Sequence, residues 1–311
     1  MKIGYVLPTR ERAVLGEHDP APLVRQAQRA ERLGLDSVWA GDSPLARPRA
    51  DPLMLLAAVS AATERIALGT AVLLPALRHP ILLAHQLATL DRLSGERLIA
   101  GMGGGFPRAD TAAQCAAIGV DHARRISRME ESITVMRRLW SGESVSHEGR
   151  HFGFDDVRLV PAPLRPSGPE IWLAGSGRPA LSRVSRLADG WLPYSPSPTT
   201  YATERDIVEQ SAARPITPAF YATLTLDEDA ERARQSLRTS IERYYDTPLE
   251  LVEQVQAVFA GTARDAAGWL AGYVAAGARH LVIRLAADDQ ETGLEELADR
   301  VLPLLRTEEY Q

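Results

Sequence analysis

Cysteine is nearly missing from this chain. The single thiol, Cys115, has no partner for an internal disulfide, which fits a reducing compartment and makes the cytoplasm the expected location. Long hydrophobic runs are missing too: stretches such as residues 67–77 fall far short of the ~20 apolar residues that cross a bilayer, so no membrane anchor is expected. The start, MKIGYVLPTRER, lacks the apolar segment and cleavage site of a secretory leader, and the mature chain is expected to begin at Met1. There is no basic stripe. The net charge is -5 with both signs interspersed, which argues against a nucleic-acid partner. Internal repeats and low-complexity tracts are also absent.

What the chain does have is 311 residues that are 45% hydrophobic, enough for a full core. Strand-like runs over 3–7, 37–40, 66–74, 97–101, 170–174, 191–192, 220–226 and 280–285 alternate with helical patterns. The helices are expected over 22–33, 52–62, 81–93, 126–140, 179–187, 201–210, 230–244, 264–276 and 294–305. Strands separated by helices pair in parallel, and eight such units without a composition break predict one α/β domain over 1–311, a (β/α)8 TIM barrel with insertions at its C-terminal mouth. A doubly wound open sheet is the competing arrangement. The irregular stretches are 105–125 and 141–169; the second reads as a β-hairpin around Gly149 followed by a proline-stiffened return.

In a barrel, chemistry gathers at the C-terminal ends of the strands. One of those ends reads GTAVLLPALRHP over 69–80, a buried strand running into a cation, an imidazole and a proline, a combination suited either to chemistry or to starting a helix. Asp42 ends the second strand, with Arg47 and Arg49 close behind; it is a candidate for function or for capping a turn. GMGGG over 101–105 lacks the spacing of a dinucleotide fingerprint, yet consecutive glycines at a strand end imply close approach to the backbone by a ligand or another segment. AGSGR over 174–178 leads into a helix and could offer unpaired N–H groups to an anion, or be an ordinary helix start. HEGRH over 147–151 matches HExxH in letters, but zinc needs that pattern on a helix. Gly149 and the alternating flanks predict a hairpin turn, so no metal is expected. Cys115 lies in an alanine-rich stretch where packing is the expected role.

Four blocks carry a resemblance: LGLDSVWAGDS, ERIALGTAVLLPALRHPILLAHQLATLDRLSGERLIAGMGGG, MEESITVMRRLWSGESVSHEGRHFGF and PEIWLAGSGRPALSRVSRLADGW. With them the chain resembles the luciferase-like family of flavin- or deazaflavin-dependent oxidoreductases. The resemblance implies a (β/α)8 barrel with the cofactor ring across its C-terminal mouth. It also implies a non-proline cis peptide near Ala71–Val72, with His79-Pro80 opening the next helix. Asp42, Ala71, Val72, Gly103, Gly104 and Phe106 would then shape the ring pocket. Gly175, Ser176, Gly177 and Arg178 would hold the phosphate; Arg125 and Arg128 are further phosphate candidates, with helical surface charge as their alternative. Asp42 and His79 are the candidates for direct chemistry. Deazaflavin-using relatives often carry Asp-His after the second strand, where this chain has Asp42-Ser43, so FMN and coenzyme F420 (a deazaflavin) both stay open. The activity implied is oxygen or hydride transfer to a small organic substrate, with a separate flavin reductase as partner if FMN is used, in a homodimer. A non-catalytic flavin-binding barrel and a non-flavin sugar-phosphate barrel enzyme are the alternatives. No specificity motif is legible in 105–125 or 195–217.

Overall fold

The computed structural model describes residues 1–306. Eight parallel strands form the barrel: β1 Lys2–Val6, β2 Ser37–Ala40, β3 Ala67–Thr70, β4 Leu98–Met102, β5 Glu170–Leu173, β6 Gly190–Trp191, β7 Thr217–Leu226 and β8 His280–Leu285. Each pairs with the next. β8 returns to β1 with Lys2 opposite His280 and Ile3 opposite Leu281. That last pairing closes the sheet and excludes the open, doubly wound arrangement. Strands buried on both faces read as continuous apolar runs, and β8 (HLVIRL) is buried at all six positions.

Two cores follow from the pleat. One set of side chains points outward to the helices, including Ile3, Tyr5, Val38, Ala40, Leu281 and Ile283. The other fills the lumen with Val6, Trp39, Trp172, Leu192, Tyr221 and Val282. Trp39 and Trp172 lie 5.3 Å apart between ring centroids, and His280 meets both edge-on. The Ser37 hydroxyl links the Trp39 Nε1–H (2.7 Å) to His280 Nε2 (2.7 Å). Ser37 and His280 begin their strands, so this polar cluster floors the barrel at the end opposite the mouth. Burial, with smaller contributions from Lys2 and the N-terminal ammonium, pushes the His280 imidazole down to about 3.

The helices start where capping chemistry allows. Asp51 accepts the Leu53 and Met54 N–H groups ahead of Pro52, and His79 accepts the Ile81 N–H ahead of Pro80. Such a cap contributes about 1 kcal/mol. The helix Pro80–Ser94 ends at Gly95, whose φ of 63° is the left-handed stop that glycine adopts most easily.

Several elements differ from the sequence expectation. β3 stops at Thr70 instead of running to 74; the Ala71–Val72 peptide is cis, and the chain rejoins β4 where Leu73 bridges Met102. The stretch 105–125 contains a helix, Ala109–Ala117, which carries Cys115 with its thiol buried in packing. A further strand, Ala257–Gly261, pairs with the far end of β7, Phe259 opposite Leu224. Short helices Thr9–Val14 and Leu249–Glu253 were likewise not expected. The hairpin is present as Ser144–Glu148 and Gly153–Arg158, antiparallel. Among the described residues no helix is long and apolar enough to cross a membrane.

Candidate functional site

At the C-terminal ends of the strands lies a cleft of about 240 Å³ that opens to solvent, lined by Asp42, Ala71, Val72, Gly103, Gly104, Phe106 and Gly175 among others. Asp42 follows β2 with its carboxylate almost fully buried. One oxygen accepts the Leu74 N–H (2.9 Å) and Arg78 Nη1 (2.5 Å), and the other accepts Arg78 Nη2 (3.2 Å). The cation after the third strand therefore serves the carboxylate after the second, and the pair fixes the chain on the far side of the cis peptide. The imidazole beside it is a helix cap: exposed His79 bonds Ile81 N through Nδ1 at 3.3 Å and meets the Phe152 ring edge-on. It does not line the cleft.

Glycine 103 is a steric requirement. A Cβ there would lie 2.8 Å from Val72 Cγ2, so the strand end and the bulge lie closer together than a side chain would permit. Phe106 stacks on Tyr194 at 5.9 Å with 18° between planes, and the Arg47 guanidinium stands 5.7 Å from the Phe106 centroid. These residues make a flat, apolar-walled slot of the kind a planar ring occupies.

Arg125 and Arg128 are not at the cleft lining. Arg125 donates to Gly104 O (3.0 Å) and His122 O (2.9 Å), bracing the glycine turn from behind. Arg128 donates to Ala76 O (3.0 Å) and lies 4.3 Å over the Phe152 ring. In the 174–178 turn, Gly175 lines the cleft while Ser176, Gly177 and Arg178 lie outside its lining and exposed. The Gly177 N–H is already given to Glu204 Oε1 at 2.7 Å, while the Ser176 and Arg178 N–H groups and the Arg178 guanidinium bond nothing among the described residues. This donor set fits an anion of modest charge, since free N–H groups and a free guanidinium share the turn with a carboxylate.

Two features of the cleft were not legible beforehand. Gln114 accepts hydrogen bonds from Ser43 Oγ, Leu45 N and Ala46 N on one oxygen, and Ser43 Oγ accepts the Arg47 N–H, so Ser43 orders the 43–47 loop. Tyr194, Tyr221, Tyr244 and Tyr245 wall the cleft from late in the chain. Burial, first of all, keeps the Tyr194 and Tyr221 phenols well above their ordinary range, so they remain protonated donors. Among the described residues Asp42 is the sole carboxylate in the lining, and no imidazole lines it. The HEGRH residues sit on the hairpin, where Glu131 Oε1 binds His147 Nε2 (3.1 Å) and Phe152 N (2.9 Å), and Glu131 also takes the His151 N–H. His151 Nε2 meets Ser127 Oγ at 2.8 Å. No cluster of three or more metal-ligating side chains occurs among the described residues.

Residues 1–302 match the family model for luciferase-like monooxygenase. An F420-dependent glucose-6-phosphate dehydrogenase of Kineococcus radiotolerans is 30% identical over 98% of this chain and 97% of its own length. The monooxygenase RslO1 of Streptomyces bottropensis superposes with a TM-score of 0.81 at 22% identity, over 97% of this chain and 99% of that one. An F420-dependent secondary alcohol dehydrogenase, solved with an F420–acetone adduct, gives 0.79 at 20% identity, over 98% and 99%. The closed barrel and the match along residues 1–302 lead to one conclusion: the chain belongs to the luciferase-like monooxygenase family of oxidoreductases.

Proposed function

We propose that this protein is a coenzyme F420-dependent oxidoreductase that passes a hydride between the deazaflavin and a small organic substrate. The likeness to the Kineococcus dehydrogenase along both whole chains supports the deazaflavin. The observation that carries the choice over FMN is the carboxylate of Glu204 on the Gly177 N–H. The phosphate monoester of FMN bears roughly -1.5 to -2 charges at pH 7, whereas the phosphodiester of F420 bears one, and repulsion from a neighbouring carboxylate grows with that charge.

Bound in the slot, the deazaflavin supplies the hydride-carrying carbon, chemistry that no side chain here performs. The chain does the rest. The Asp42–Arg78 pair and the Ala71–Val72 peptide hold the floor of the slot, Gly103 and Gly104 leave it flat, and Phe106 with Tyr194 excludes water from one side. Arg178 and the free N–H groups of the turn hold the phosphate. With Asp42 held by Arg78 and no imidazole in the lining, the phenols of Tyr194 and Tyr221 are the groups that donate a proton or hydrogen bond to substrate oxygen. The single buried thiol fits the cytoplasm as location.

Titration by fluorescence quenching tests the proposal. F420 is expected to bind in the micromolar range and FMN at least tenfold more weakly, about 1.4 kcal/mol. Tighter binding of FMN, or failure of F420 to bind below about a millimolar, overturns it.

A further inference from the structure

We propose that Arg49 is a substrate-anion site, and that the cleft accepts a flat organic acid whose carboxylate rests on this guanidinium and whose ring lies among the tyrosines. The inference deepens the reading above and rests on it for the cofactor's share of the same cleft.

Lys2 is the only lysine in the chain, so every cation near the mouth is an arginine. Three of those beside the cleft are paired with carboxylates. Arg78 has Asp42 and Asp51, Arg47 has Asp110 at 3.4 Å, and the buried Arg284 has Glu11 at 2.6 Å. Arg49 lines the cleft and pairs with no carboxylate among the described residues. Its Nε donates to Arg47 O (3.2 Å) and its Nη1 to the Tyr244 hydroxyl (3.0 Å), with the guanidinium 5.4 Å from the Tyr244 ring centroid. Its Nη2 donates to nothing among the described residues.

The guanidinium has a place built for it. A Cβ on Gly41 would lie 2.4 Å from Arg49 Nη1 and 3.4 Å from Ala71 O, so the missing side chain leaves room for the cation beside the Ala71 carbonyl. A half-buried guanidinium without a counter-charge is costly unless a ligand brings one, and its planar fork matches a carboxylate. The opposite wall is aromatic. Tyr194 meets Tyr221 edge-on at 4.9 Å and stacks on Phe106, and the hydroxyls of Tyr194 and Tyr221 bond no described residue. Rings in this arrangement suit a planar body, and the two unpaired phenols suit its few oxygens.

The experiment is isothermal titration of the full chain, with and without F420, using naphthalene-2-carboxylate and its neutral counterpart 2-naphthalenemethanol. The carboxylate is expected to bind at least tenfold more tightly than the alcohol. Arg49→Gln and Gly41→Ala, whose methyl displaces the guanidinium, are expected to abolish that preference, while Arg49→Lys retains part of it; all are checked for folding by circular dichroism. F420 affinity is expected to stay within threefold in Arg49→Gln. Equal binding of the two probes overturns the inference. So does a loss of F420 affinity in Arg49→Gln as large as the loss of carboxylate affinity, or displacement of the carboxylate by glucose 6-phosphate at lower concentration than by benzoate. If F420 fails to bind while the carboxylate preference and its Arg49 dependence persist, the cofactor assignment falls and the anion site stands.

Discussion

Asp42→Asn retains an oxygen for the Leu74 N–H but takes away the charge that Arg78 faces. Because the carboxylate is almost wholly buried and Arg78 keeps only the more exposed Asp51, a loss of about 3 kcal/mol is expected, read as a lower urea midpoint. Arg178→Ala should behave oppositely. The side chain has no partner to lose, so the midpoint stays put while cofactor affinity falls ten- to a hundredfold, roughly 1.5–3 kcal/mol. An unchanged dissociation constant would remove Arg178 from the site. Glu204→Gln keeps an acceptor for Gly177 but drops the charge, so FMN affinity should rise relative to F420; an unchanged ratio would show that this carboxylate does not discriminate. Asp42 was legible as a strand-end carboxylate, and the strand-end prolines and glycines announced the turns. Its partner was not, because the pairing spans 36 positions, and the Arg49–Tyr244 contact spans 195. Local pattern carries no information about which distant side chains a closed sheet will bring together.

The hairpin and its anchor show the same division between elements. Gly149 and the alternating flanks announced the turn; Glu131, on the helix Arg125–Leu139, was invisible as the residue that ties it down. Burial raises the Glu131 carboxyl, but the His147 bond and the His151 and Phe152 N–H groups outweigh it and hold the carboxyl below its ordinary range. Its stabilisation is thus present above the unfolded carboxyl pKa and is lost as pH falls through the folded value. Glu131→Ala is expected to destabilise by about 1–3 kcal/mol, since it strands two N–H donors. His147→Ala and His151→Ala should each cost about 0.5 kcal/mol and leave cofactor affinity and zinc content unaltered. Stoichiometric zinc in the purified protein, lost in the double variant, would refute the hairpin's purely structural role. The helix Ala109–Ala117 escaped notice because ADTAAQCAA has helix-forming alanines but no stripe of large apolar residues. The strand Ala257–Gly261 escaped because AVFAG is short and does not alternate.

For the molecule as a whole, alternation of strand and helix was enough to specify a parallel sheet with eight repeats, but not its closure, which depends on the first strand meeting the last. That seam carries a pH sensitivity. His280 stays neutral in the folded barrel down to about 3, while in the unfolded chain it takes up a proton below about 6.5. The folded state is therefore fully favoured above pH 6.5 and loses about 1.4 kcal/mol per pH unit from this residue as pH falls toward 3. His280→Gln should flatten the difference in urea midpoint between pH 6 and pH 4; equal slopes in variant and parent would show that the imidazole is not held neutral. Cys115 offers something different. It is the chain's sole thiol, 2% exposed, on the same helix that sends Thr111 and Gln114 to the cleft wall. A thiol reagent can reach it only when that wall opens, so its labelling rate is a built-in clock for breathing of the mouth, and a ligand that clamps the wall shut should slow the clock in proportion to its occupancy.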